Sequence, residues 1–214
     1  MSEAAPIIEE FKRLLAQEVP LRLTNVYKEM PIVHPAFIWE VRGEQLVLET
    51  NELQICAMHW SGDTVIQAPP LSEPVAAQLD GTDIRRHLVT LSRFRNTELP
   101  CGKRATVRVR LKRPLRVRLV DAEGAEVPGV IHDLSLGGCR ASTGRNRPGV
   151  AELQVELELE GQRLKVPGRL LRVEGESPYH CTVIFDHTQE SEQHLSVFIH
   201  KRELEIIKEL QTTL

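Results

Sequence analysis

Aromatic residues are scarce: five Phe, two Trp and two Tyr make up 4 % of the 214 residues. None lies between Phe94 and Tyr179. Single-stranded nucleic acids are commonly held by bases stacked on aromatic rings, so that stretch lacks the parts for such a platform. The four cysteines, at 56, 101, 139 and 181, form no C-x-x-C pair. Their wide spacing argues against a disulfide framework and fits a reducing compartment. The eight histidines do not join them at metal-ligand spacing, which speaks against a structural zinc site. No apolar run approaches the roughly 18–20 residues that span a bilayer. The acidic start "MSEAAPIIEEFKRLL" lacks the basic leader and long apolar stretch of a targeting segment. A cytoplasmic protein without membrane insertion is expected. Catalytic signatures are missing too. There is no G-x-x-x-x-G-K-[ST] loop, and no Ser-His-Asp or Cys-His pattern stands out. His132 and Asp133 are adjacent, but neighbours on a strand point to opposite faces. The chain is not expected to be an enzyme and calls for no cofactor.

What is present is ordinary globular material, 41 % apolar and 27 % charged, in a length suited to one large domain or two small ones. Residues 3–17 place Ile7, Ile8, Phe11, Leu14 and Leu15 at helical spacing, and Pro20 ends that helix. From there to about residue 95 the pattern reads as short strands. "LRLTNV" alternates, "FIWEV" and "QLVLE" flank a hairpin at Arg42-Gly43-Glu44, "TVIQA" follows, and "RRHLVTLSRF" can supply another. A small barrel or sandwich is expected there. Residues 95–103, with Pro100 and Gly102, read as a linker.

The second half alternates more cleanly. Val107, Val109 and Leu111 share one face of a strand and Arg108 and Arg110 the other. Leu153, Val155, Leu157 and Leu159 alternate with Glu152, Gln154, Glu156 and Glu158. "RLKVPGRLLRV" and "YHCTVIF" continue the set, which suits an antiparallel barrel. From about Gln189 the period changes, and Leu195, Phe198, Ile199, Ile206, Ile207 and Leu210 form a helical stripe. It serves either the core or a homodimer. The fold class is therefore mainly β: two small antiparallel β-barrel domains, residues 1–98 and 99–214, with an N-terminal and a C-terminal α-helix.

The charge is uneven. The chain carries 27 basic and 30 acidic residues, a formal net charge of −3. Yet residues 101–120, "CGKRATVRVRLKRPLRVRLV", hold eight Lys or Arg and no acid. Such a concentration makes a local positive field. Three readings compete: a solvated strand face whose charges guard an edge, a basic nucleic-acid-binding module, and a compact phosphate site. Arginine suits the last, because its planar fork donates paired hydrogen bonds to phosphate oxygens. Arg104 and Arg108 share a face, and alternation turns the Arg108 guanidinium outward.

A turn, "IHDLSLGGCRAS", follows. Asp133 is acceptor-only when ionised, Ser135 offers a hydroxyl, and Gly137 and Gly138 permit a close backbone approach or positive φ. Judged alone, Asp133 and Ser135 also suit a self-capped turn. The pair "Arg104-Ala-Thr-Val-Arg108" and "Asp133-Leu-Ser135-Leu-Gly137-Gly138" resembles the R-x-x-x-R and [D/N]-x-S-x-x-G signature of PilZ domains, receptors for the bacterial second messenger cyclic di-GMP. The likeness covers about residues 101–212. The first hundred residues resemble, more weakly, the barrel that precedes PilZ in flagellar-brake proteins.

The resemblance implies that Arg104 and Arg108 clamp phosphate and guanine, and that Lys103 influences whether one or two ligands bind. Asp133 takes guanine N–H donors, Ser135, Gly137 and Gly138 shape the turn, and Arg140 adds a contact. It implies a ligand-driven change in domain arrangement that acts on a protein partner, such as a flagellar motor or polysaccharide-synthesis component, in motility or biofilm output. Two alternatives stand beside it: a PilZ-like adaptor working without nucleotide, and the basic nucleic-acid module.

Overall fold

The computed structural model describes residues 4–100, 106–144, 148–149 and 152–213. The chain forms two compact units: Met1–Tyr27, Pro31–Arg104 and Ile206–Leu214 in one, Lys28–Met30 and Ala105–Glu205 in the other. Each contains a closed antiparallel barrel of six strands.

The first unit runs α1 (Ala4–Ala16), β1 (Leu21–Tyr27), β2 (Met30–Arg42), β3 (Gln45–Thr50), α2 (Glu52–Ser61), β4 (Asp63–Gln67), β5 (Val75–Asp83) and β6 (Leu88–Asn96), with strands in the order β1-β2-β3-β6-β5-β4. Ile7, Ile8, Phe11 and Leu14 form the buried stripe of α1 and join a core with Leu23, Leu46, Leu48, Ile66, Val89 and Leu91. The Phe11 ring meets Phe94 edge-on at 5.2 Å. Of the expected barrel or sandwich, the structure is a barrel.

The all-strand reading of residues 20–95 needs correction. Residues 52–61 are helical because local capping overrides a weak pattern. The Asn51 side chain accepts from the Leu53 N–H at 2.8 Å, and Gly62, at φ 78°, closes the other end by donating to the Met58 carbonyl at 2.7 Å. A buried polar cluster anchors α2: Asn25 Oδ1 accepts from Gln54 (2.6 Å) and from the Thr64 hydroxyl (2.7 Å). "RRHLVTLSRF" also begins later than expected, since Ile84–Arg86 form a single 3-10 turn before β6.

The second unit runs β7 (Arg108–Val120), β8 (Glu126–Ser135), β9 (Gly138–Thr143), β10 (Glu152–Leu159), β11 (Gln162–Glu174), β12 (Tyr179–Phe185) and α3 (Gln189–Gln211), with strands ordered β10-β11-β12-β9-β8-β7. The alternation of β10 holds: Leu153, Val155, Leu157 and Leu159 are buried. On its other face, Glu156 sits in register between Arg118 and Lys165 and meets each at 2.7 Å. Helix α3 starts with a reciprocal cap, in which the Thr188 N–H donates to Ser191 Oγ (3.0 Å) and the Ser191 N–H donates to Thr188 Oγ1 (3.2 Å). Leu195, Ile199, Ile206 and Leu210 are buried along it, the last two counting with the first unit. No helix among the described residues is long and apolar enough to cross a membrane.

Two irregularities set the face of the second barrel that matters. Between β8 and β9 the pairing passes from Ile131↔Ala141 to Asp133↔Arg140, so His132 is the extra residue of a bulge. Between β7 and β8 it passes from Arg110↔Asp133 to Leu115↔Ile131, so residues 111–114 face only His132.

Candidate functional site

Register builds the site. One cross-strand row is Arg110–Asp133–Arg140–Thr182–Arg172, and the next is Arg108–Ser135–Gly138–Ile184–Arg169. Residues opposite one another share a face. Val109, Leu134 and Cys139, one step out of phase, are buried behind these rows. Arg108 and the Asp133–Gly138 turn thus lie side by side on the outside of a closed barrel.

Arg108 and Asp133 meet: Nη1 stands 3.3 Å from Oδ1, and the side chains are 25 % and 17 % exposed. Arg108 lies on the outer face of the barrel, as alternation predicts, with Val109 buried behind it. Arg108 is drawn along the strand to the carboxylate, and Val107, expected on the apolar face, is the exposed residue. The chain begins its regular strand only at Arg108, so alternation does not yet govern position 107. Strict alternation likewise fails at the His132 bulge, where His132 is exposed beside Asp133.

The turn is held from several directions. The Ser135 hydroxyl donates to the Gly138 carbonyl at 3.0 Å and is buried, so it closes the hairpin. The Gly137 carbonyl accepts from the Phe185 N–H at 3.2 Å, and the Leu136 carbonyl pairs with His187 Nε2. Gly138 has φ 152°, and a Cβ there would stand 2.0 Å from the Val183 carbonyl oxygen. Its lack of a side chain lets β9 lie against β12. A Cβ on Gly137 would come 3.1 Å from Thr106 Oγ1, which places the turn against the middle of the R-x-x-x-R segment. Arg140 is exposed and pairs with Glu174 at 3.4 Å. Lys103 and Arg104 lie outside the described residues.

Cys139 lies below this surface. Burial pushes its thiol up to about 12; Asp133 and Cys181 add to the rise and Arg108 opposes it. Among the described residues, no group of three or more His, Cys, Asp or Glu side chains is arranged to hold a metal ion.

Sequence reading missed Arg169, Arg172 and His187. The first two reach the rows only through β11–β12 pairing, which no local signal announces. His187 follows β12 directly, and only the path of the chain past the turn brings it to Leu136.

Comparison with known proteins gives one family match, to the PilZ domain, over residues 102–201. No curated protein matches the sequence. Among solved structures, YcgR in complex with c-di-GMP from Escherichia coli is 17 % identical, with 99 % of this chain and 96 % of that chain covered and a TM-score of 0.45. The K. pneumonia MrkH–c-di-GMP complex is 16 % identical, with 96 % of each chain covered and a TM-score of 0.47. The Bacillus subtilis inhibitor of motility, MotI/DgrA, is 11 % identical, with 88 % of this chain and 97 % of that chain covered and a TM-score of 0.42. The stretch that carries Arg108, the Asp133–Gly138 turn and Arg140 is thus the part of the chain that matches the PilZ domain, residues 102–201.

Proposed function

We propose that the chain is a cyclic di-GMP receptor and effector, binding the dinucleotide on the outer face of the second barrel. The observation that carries this is the meeting of Arg108 with Asp133 at 3.3 Å, which joins one residue of each motif in one place. The ligand offers phosphate oxygens, which only accept, and guanine edges, which both accept and donate. Arg108 supplies donors to phosphate or to guanine O6 and N7. Asp133 accepts guanine N–H groups, a contact that a site for phosphate alone has no use for. Each trades its present partner for the ligand, so the pair keeps both side chains aimed at the site beforehand. Ser135, Gly137 and Gly138 hold the turn in shape, and Arg140, exposed and paired among the described residues with the half-buried Glu174, is available to swing onto the ligand. Lys103 and Arg104 complete the clamp in this reading.

The ligand's two negative charges draw the Lys103–Arg104 segment onto the barrel. That changes the arrangement of an N-terminal domain (residues 1–98) and the PilZ-like domain (residues 99–214), and so acts on a protein partner in the cytoplasm. A ligand can shift such an equilibrium only by its differential affinity for the two states. The test is calorimetric titration with cyclic di-GMP of the whole chain and of an Arg104→Ala, Arg108→Ala variant. Micromolar or tighter binding that the variant loses supports the receptor. Equal binding by both overturns these residue roles, and absence of binding in both favours an adaptor without nucleotide.

A further inference from the structure

The nucleotide reading leaves part of the basic stretch unused. In the second unit, Arg108, Arg118, Arg140, Lys165, Arg169, Arg172, Lys201 and Arg202 each stand within 4 Å of a carboxylate oxygen. Arg110, Lys112, Arg113 and Arg116 make no ion pair among the described residues, although all four are exposed. They lie on one segment of β7, and Lys112 and Arg113 sit in the irregularity where residues 111–114 face a single residue of β8. Bulges of this kind re-aim side chains. Here the bulge lifts two cations out of the ladder that would otherwise seat them beside β8. On the other side, pairing of β7 with β10 begins only at Val117. The result is an unneutralised cationic stripe of at most about 20 Å, the reach of the six extended steps from Arg110 to Arg116.

We infer that this stripe is the docking surface for a short acidic segment of a protein partner. The inference rests on reading the chain as an effector that works through a protein partner. Size and surroundings select the class of partner. Four cations fall short of the six to ten phosphate contacts typical of strong duplex binding. They are also at the low end for a polybasic membrane site, and the bulge offers no exposed large apolar side chain to insert into lipid. The chain as a whole is negative, so an extended polyanion meets repulsion beyond the stripe. A short acidic segment feels little beyond the Debye length of about 8 Å at physiological salt.

The experiment uses the full chain and the variant Lys112→Glu, Arg113→Glu, Arg116→Glu, which leaves every proposed nucleotide contact in place. Charges at a strand edge also prevent aggregation; glutamates keep that role, so only a docking role is altered. A fluorescent decaglutamate peptide is the probe, with a DNA duplex and phosphatidylserine vesicles alongside. The expected result is peptide binding that weakens about tenfold or more in the variant, while its cyclic di-GMP titration matches that of the wild type. Equal peptide affinity for both proteins overturns the inference. So does charge-dependent binding of the duplex or the vesicles in place of the peptide. Peptide binding in a chain that takes up no cyclic di-GMP overturns the nucleotide reading instead and leaves the stripe standing.

Discussion

Arg108 and Asp133 neutralise each other at 3.3 Å on neighbouring strands, both more than two-thirds buried. Removing either leaves the other as a partly buried charge without its partner. Arg108→Ala is therefore expected to lose about 1–2 kcal/mol of stability, less than a fully buried pair costs to break, beside its loss of ligand. A double-mutant cycle with Asp133→Asn in urea denaturation checks this. Fully additive effects would show that the pair contributes nothing.

The two glycines of the turn are expected to separate in their effects. Gly138→Ala sets a Cβ 2.0 Å from a backbone oxygen and strains a φ of 152°, so a loss of about 2–4 kcal/mol is expected. Gly137→Ala meets the Thr106 hydroxyl at 3.1 Å and Ser135 Oγ at 4.0 Å, no backbone atom, and a loss below about 1 kcal/mol is expected. Thermal unfolding distinguishes them; equal melting temperatures would show that β9 does not need its close approach to β12.

Glu156 lies between Lys165 and Arg118. The Lys165 hydrogen bond, with the charges of Lys165, Arg118 and Arg163, holds its carboxyl below the usual range against the opposing effect of burial. A depressed folded pKa contributes stability above the unfolded carboxylate value, and that contribution is lost as pH falls through the folded one. Glu156→Gln is expected to make the acid side of a stability-against-pH curve shallower and to leave its alkaline side unchanged. An unchanged acid limb would mean that the ladder is screened by solvent.

Cys139 behaves in the opposite sense. Its thiol, raised to about 12, stays protonated in the native state at neutral pH and resists alkylation. Iodoacetamide treatment and peptide mapping are expected to find it modified only after unfolding. Because the unfolded thiol ionises near 9 while the folded one does not, its contribution to stability falls as pH rises between those values. Cys139→Ala is expected to flatten that alkaline decline. Native labelling at the unfolded rate would contradict the burial.

The sequence announced what depends on periodicity and little of what depends on pairing. Period-two alternation in β10 and β12 and the helical stripes of α1 and α3 appear as read, because one face of each is buried. Helix α2 was hidden because its buried run, Gln54 to Met58, has almost no sidedness; Asn51 and Gly62 at its ends were the available signal. Strand β5 was missed because Gln78, Asp80, Gly81 and Asp83 interrupt its apolar character. At the site, the motif residues were legible as a linear pattern. The ion pair that joins two of them was not, since it depends on the register of β7 against β8. Arg169 and Arg172 depend on β11 against β12 and left no local trace.

The extra residue at His132 sets the phase of everything after it in β8. Before it, odd positions such as Ile131 turn inward; after it, even Leu134 does, and Asp133 is freed for the outer face. Were His132 instead to take an ordinary place in the ladder, the motif's letters would stay intact and their meaning would invert. Asp133 would enter the core, and Leu134 would take its place before the ligand. A recognition surface on a barrel is thus written in parity as much as in side chains. A family motif counts only where the strand beneath it keeps the matching phase.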